Sequence, residues 1–134
     1  MSALAKKLRW KSGQKALVVK KPKDVVLEPP EGAKLSNRGK GPFDMVLGFA
    51  QDTAAVAEIF PRLRDACAED GALWIAYPKK SSGIVTDISR DEGWGGLTKQ
   101  GWAAVTQIAL DGTWSALRFR HAPELIRERK KRGW

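Results

Sequence analysis

Cysteine and histidine are almost missing from this chain: it has one of each in 134 residues. A lone Cys67 excludes an intrachain disulfide and suits a reducing compartment. Together with the single His121 it also excludes the usual structural zinc sets, so no metal is expected. No run approaches the roughly 20 apolar residues of a membrane span. The opening "MSALAKKLRW" lacks the apolar core of a signal peptide, which makes the cytoplasm the expected location. Acidic residues are scarce at both ends. Residues 1–40 carry a net charge of +8 and residues 119–134 a net of +4, whereas residues 41–118 carry −3.

What is present is enough for one folded unit. A hydrophobic fraction of 43% over this length supports a single core. The charge divides the chain into a basic N-terminal segment (1–14), an α/β domain (15–122) and a basic C-terminal helix or tail (123–134). Basic ends point to nucleic acid or another polyanion, or simply to a surface that keeps a small protein soluble.

The elements alternate in type. "KALVVK" (Lys15 to Lys20) reads as a buried strand between lysines. "KPKDVVLEPPEG" has room for one helical turn from Lys23 before Pro29 and Pro30 stop it. "AKLS" is a weak strand, "NRGKGP" a loop, and "FDMVLGFA" (Phe43 to Ala50) a second clear strand. In the next segment Val56, Ile59, Phe60, Leu63, Ala66 and Cys67 share one helical face. Asp52 or Thr53 can cap its start, Gly71 stands where a C-terminal glycine belongs, and Pro61 predicts a kink or two abutting helices. "ALWIAYP" (Ala72 to Pro78) has no polar alternation, as in a strand covered on both faces. Ser89 and Glu92 have capping-box spacing and predict a helix that runs through Trp94 and Leu97 to Gly101. Asp111-Gly112 joins "AAVTQIAL" and "TWSALRFR" as a hairpin. This order predicts an α/β fold, a reduced Rossmann-like three-layer sandwich with a mostly parallel sheet and a C-terminal antiparallel hairpin.

"GPFDMVLGFA", "EDGALWIAYP" and the Asp-Gly hairpin resemble, in that order, the fourth, fifth and last strands of class I methyltransferases, across roughly residues 15–120. "LWIAYPKKSSGIVTDISRDEGW" with "TWSALRFR" resembles an uncharacterised bacterial family of small proteins, a domain of unknown function; this implies a bacterial cytoplasmic protein and no activity. The methyltransferase resemblance implies an S-adenosylmethionine site, yet its key residues are replaced. The turn after the first strand, "VVKKPKDVV", has no glycine to let backbone amides approach a nucleotide. "AKLSNRGKG" offers Ser36 and Asn37 where an acid would hold ribose. No cofactor is therefore expected.

Candidate binding residues cluster beyond strand ends. In "PKKSSG", Lys79 and Lys80 supply charge, Ser81 and Ser82 hydroxyls, and Gly83 freedom to curl amides toward an anion. Lys20, Lys21 and Lys23 are expected to face the same crevice. The alternative is an exposed crossover loop, polar as loops are. At the ends, Lys6, Lys7, Arg9, Lys11, Arg129, Lys130, Lys131 and Arg132 are the nucleic-acid candidates, with Trp10 and Trp134 available to stack on bases. Asp87, Asp91 and Glu92 have the chemistry for a hard cation, though carboxylates near a helix start also serve its dipole. His121 has no evident catalytic partner in sequence. The leading expectation is a non-enzymatic binding module for a phosphate-rich ligand or nucleic acid. A divergent methyltransferase-like enzyme with a small-molecule site and a protein-interaction domain are the alternatives.

Overall fold

The computed structural model describes residues 3–133. Helix α1 (Ala3–Lys7) is followed by strands β1 (Lys15–Val19), β2 (Lys34–Ser36) and β3 (Phe43–Phe49), then helix α2 (Thr53–Ala66) and strand β4 (Cys67–Pro78). A 3-10 turn at Lys80–Ser82 and helix α3 (Gly95–Lys99) lead to β5 (Trp102–Ala109), β6 (Trp114–His121) and helix α4 (Pro123–Lys131). The six strands form one sheet in the order β2-β1-β3-β4-β6-β5.

β1, β3 and β4 are parallel neighbours, with Leu17 opposite Val46 and Val46 opposite Leu73. β6 is antiparallel to both β4 and β5. The expected mostly parallel, Rossmann-like sandwich is therefore incorrect: the sheet is mixed, and its C-terminal half is antiparallel. Two physical causes are visible. The second arm of the Asp111-Gly112 hairpin inserts between β4 and β5, so the antiparallel ladder is doubled rather than confined to an edge. Prolines and glycines also keep helices out of the connections: Pro22, Pro29, Pro30 and Gly32 leave the stretch from β1 to β2 irregular. The helical turn expected from Lys23 is a single hydrogen-bonded turn at Lys23 and Asp24, closed by the Val25 N–H on the Pro22 carbonyl. Only α2 joins two parallel neighbours as a helical crossover.

Strand alternation divides the core into two. On one face Leu17, Val19, Val46, Leu73, Ile75, Leu117 and Phe119 pack with Val56, Ile59, Phe60 and Leu63 of α2 and with Ile88, Trp94 and Leu97. Each large side chain buried there stabilises by on the order of 2 kcal/mol. On the other face Ala16, Val18, Met45, Leu47, Trp74 and Ala116 are covered by Ala5, Leu8, Trp10 and Val25. The basic N-terminal segment is thus bonded to the sheet. The Trp74 indole N–H donates to the Leu8 carbonyl at 2.9 Å. Trp10, expected as a base-stacking surface, is buried, and its indole N–H donates to the Gln14 carbonyl. Trp134 lies outside the described residues.

Asp52 caps α2, accepting from the Ala55 N–H at 2.9 Å, and the helix stays a single element through an exposed Pro61. It ends at Ala66, and Cys67 already begins β4. Gly71 therefore sits inside a strand. A side chain there would approach the Asp44 carbonyl to 2.9 Å and the Cys67 sulfur to 3.0 Å, so glycine is needed for strand contact and not for helix capping. The helix expected from Ser89 starts only at Gly95, because Gly93 at φ +101° interrupts the helical path. Ser89 and Glu92 instead close a turn through the Ser89 N–H and the Glu92 carbonyl.

Candidate anion-binding site

The "PKKSSG" loop leaves the carboxyl end of β4, as expected, but its first cation is already engaged. Lys79 is half-buried; its ammonium donates to the Asp111 carbonyl at 2.6 Å, and its N–H donates to the Thr113 carbonyl at 2.8 Å. It ties the strand end to the hairpin turn. Ser82 accepts the Ile84 N–H, which folds the loop on itself, with Gly83 left-handed at φ +82°. Lys80, Ser81 and Gly83 are exposed.

Lys20 and Lys21 are in a different place. β3 lies between β1 and β4, so the two strand ends stand roughly 10 Å apart at two inter-strand spacings. The single shared crevice does not form. Lys20 and Lys21 instead line a cleft of about 820 Å³ with Val18, Leu35, Ser36, Asn37 and Arg38, at the carboxyl ends of β1 and β2. Lys23 is not part of its lining. β1 leaves toward β2 and β3 leaves toward β4, so the topological switch point lies between β1 and β3, and the cleft, lined from β1 and β2, stands beside it.

The cleft is positive, with polar side chains beside the apolar Val18 and Leu35. Three cations, one hydroxyl and one side-chain amide line it, with no carboxylate. The Lys21 ammonium donates to the Val25 and Pro22 carbonyls at 2.7 and 3.1 Å, which fixes the rim and leaves one N–H. Lys20 adopts a left-handed backbone at φ 63°, a conformation that disfavours side chains and concentrates at functional positions. Arg62 donates to the Asn37 carbonyl at 3.0 Å and steadies the opposite wall. Ser36 and Asn37 thus stand across from Lys20 at the position where the methyltransferase resemblance would put a ribose-holding acid, and Arg38, from the loop that follows, joins them.

No protein-family model matches the chain, and no curated protein matches it by sequence.

The remaining candidates are distributed over the surface. Lys6 and Lys7 on α1, and Arg9 and Lys11 after it, are exposed. On α4, Arg129 donates to the Ala104 carbonyl at 2.9 Å, and Arg132 pairs with Glu128 at 2.9 Å, while Lys130 and Lys131 face solvent. Two of the three carboxylates with the chemistry for a cation have other partners: Asp87 accepts the Thr53 N–H at 2.8 Å, and Asp91 pairs with Arg90. That Thr53 bond holds the Asp87 carboxyl below its usual range.

The lone cysteine and lone histidine line one cavity, at the opposite end of the sheet. Cys67, His121, Arg64, Glu69, Trp102 and Arg120 line a cavity of about 530 Å³. Burial, followed by the charges of Asp70 and Asp44, raises the Cys67 thiol to about 11. It stays protonated near neutrality, so this pair is not an activated nucleophile. Arg64 there is committed to Asp65 and Gln100.

Proposed function

We propose that this protein is a non-enzymatic module that binds a phosphate-rich ligand, foremost a nucleic-acid backbone, in the cleft beyond β1 and β2. The observation that carries the reading is the lining itself: Lys20, Lys21 and Arg38 with Ser36 and Asn37, and no acid among them. Hydrogen bonds from cations to phosphate oxygens are worth about 1.5–3 kcal/mol each, and a guanidinium adds bidentate geometry. Two or three such contacts are enough for the ~10⁻⁴–10⁻⁶ M binding typical of sequence-independent recognition. The cleft lining has no His, Cys, Asp or Glu to activate Ser36 or carry a proton, which favours binding over turnover. α4 contributes less than its charge suggests, since Arg129 and Arg132 are already hydrogen-bonded.

Fluorescence anisotropy with two labelled oligonucleotides of unrelated sequence tests this reading. The wild type should bind both with similar affinity. Lys20→Gln combined with Arg38→Gln should weaken both equally. Each lost phosphate contact should flatten the log-affinity against log-salt slope by roughly 0.7 on single strands or 0.9 on duplex. If no complex forms at ~50 mM salt, where such contacts are strongest, the proposal fails.

A further inference from the structure

Away from the cleft, three arginines share one part of the sheet, and none of them is ion-paired among the described residues. Arg118 lies on β6 opposite Trp74 of β4. Ala116, two residues earlier, belongs to the core face that Trp74 shares. Strand alternation puts Arg118 and Arg120 on that face as well, with Arg120, near the strand end, also bordering the cavity of Cys67 and His121. Trp74 donates its indole N–H to the Leu8 carbonyl, and this bond brings the residue after Leu8, Arg9, over the same part of the sheet.

The backbone at Arg9 is specific. The Arg9 N–H donates to the Lys6 carbonyl at 3.1 Å and the Trp10 N–H to the Ala5 carbonyl at 3.0 Å, with Arg9 left-handed at φ 63°. This is a Schellman closure of α1, and its left-handed position ordinarily belongs to glycine. Among the described residues, the two non-glycine residues with positive φ are Arg9 and Lys20, and both are basic. A guanidinium is thus held where an uncharged, unstrained residue would close the helix better.

Arg118 is half-buried, and its Nε is shielded from solvent with no hydrogen-bond partner. None of the three arginines forms an ion pair among the described residues. Burial, followed by Arg9 and Arg120, disfavours the charged form of Arg118. Arginine nonetheless stays protonated. The folded protein therefore carries an uncompensated cationic cluster, an arrangement opposed by both desolvation and repulsion.

We infer that Arg9, Arg118 and Arg120 form a second anion site, one that takes a single phosphate group through charge-assisted hydrogen bonds from guanidinium nitrogens. A bound phosphate would give Arg118 Nε its missing acceptor and neutralise the three-way repulsion. The inference does not rest on the cleft reading, because the residues and strands differ. The phosphate could be free or part of a nucleic-acid chain that also crosses the exposed lysines of α1.

Arg9→Gly is the informative variant, since it deletes the guanidinium while keeping the left-handed closure. Arg120→Gln is an exposed second. In thermal unfolding, ~10 mM inorganic phosphate should raise the wild-type midpoint above that in chloride of equal ionic strength, as expected for a ligand of the folded state. Both variants should lose a measurable part of that gain, and Arg9→Gly alone should keep or raise the midpoint in chloride. In anisotropy with a short single-stranded oligonucleotide, each variant should weaken binding about tenfold, the loss of one charged contact, whereas Lys20→Gln should leave intact the part of the phosphate gain that Arg9→Gly and Arg120→Gln remove. A phosphate gain alone assigns the site to free phosphate. An oligonucleotide effect alone assigns it to a phosphodiester. If phosphate gives no gain over chloride and both variants bind the oligonucleotide within about twofold of wild type, the inference is overturned.

Discussion

Trp74→Phe should release the N-terminal cover from the sheet. Trp74 is fully buried, and its indole N–H is bonded to the Leu8 carbonyl, 66 residues away in the chain. Phenylalanine keeps an aromatic ring but removes the donor. A buried carbonyl left without its partner costs about 1–3 kcal/mol. The smaller ring adds about 1 kcal/mol for a cavity of roughly 40 Å³. The sum, about 2–4 kcal/mol, corresponds to a fall of roughly 10 °C in midpoint for a domain of this size. Urea denaturation would measure the loss directly, and limited trypsin digestion would report where it falls. Cleavage after Lys6, Lys7 and Arg9 should accelerate before cleavage elsewhere, because these exposed sites lie on the segment that the bond holds down. A variant within about 0.5 kcal/mol of wild type, with unchanged digestion, would refute the claim that this bond anchors α1 and positions Arg9.

Three further outcomes are expected. Gly71→Ala should destabilise by about 1–3 kcal/mol in urea unfolding, since its Cβ would meet backbone oxygens of Asp44 and Ala68; an unchanged midpoint would restore a helix-end role. Lys79→Met should lower stability by about 1 kcal/mol by freeing the hairpin turn, yet leave oligonucleotide affinity unchanged; lost affinity at full stability would return the 79–83 loop to the binding surface. The Cys67 thiol, raised from 9.0 to about 11, keeps its proton in the folded state where the unfolded chain releases it. Its contribution to stability is therefore present below pH 9 and lost as pH rises toward 11, and Cys67→Ala should flatten that part of the stability–pH curve.

The strands that build the centre of the sheet were legible because they are short apolar runs bounded by charge, and the face of α2 because its period is unambiguous. The hairpin was legible from Asp111-Gly112. The fold class was not. Where β6 inserts is decided by packing between Trp74, Ile75, Ala76 and the hairpin arms, which no local pattern encodes. Gly71 misled because a glycine after a helical run suits both a helix end and a close strand contact. The same limit applies to the candidate sites. Lys20 and Lys21 were visible as charge beyond a strand, but their partners Ser36, Asn37 and Arg38 come from a three-residue strand with little pattern. Arg118 and Arg120 share a face by their spacing alone. That Arg9 joins them depends on a Schellman closure at a non-glycine residue and on a tryptophan bond across the fold.

The most direct test of phosphate binding in the cleft is a titration of isotopically labelled protein with a short oligonucleotide, following backbone amide shifts residue by residue. The account predicts the largest changes at Lys20, Lys21 and Ser36 through Arg38, saturating together and diminished by added salt. Changes confined to residues 79–83, or none at all at low salt, would contradict it.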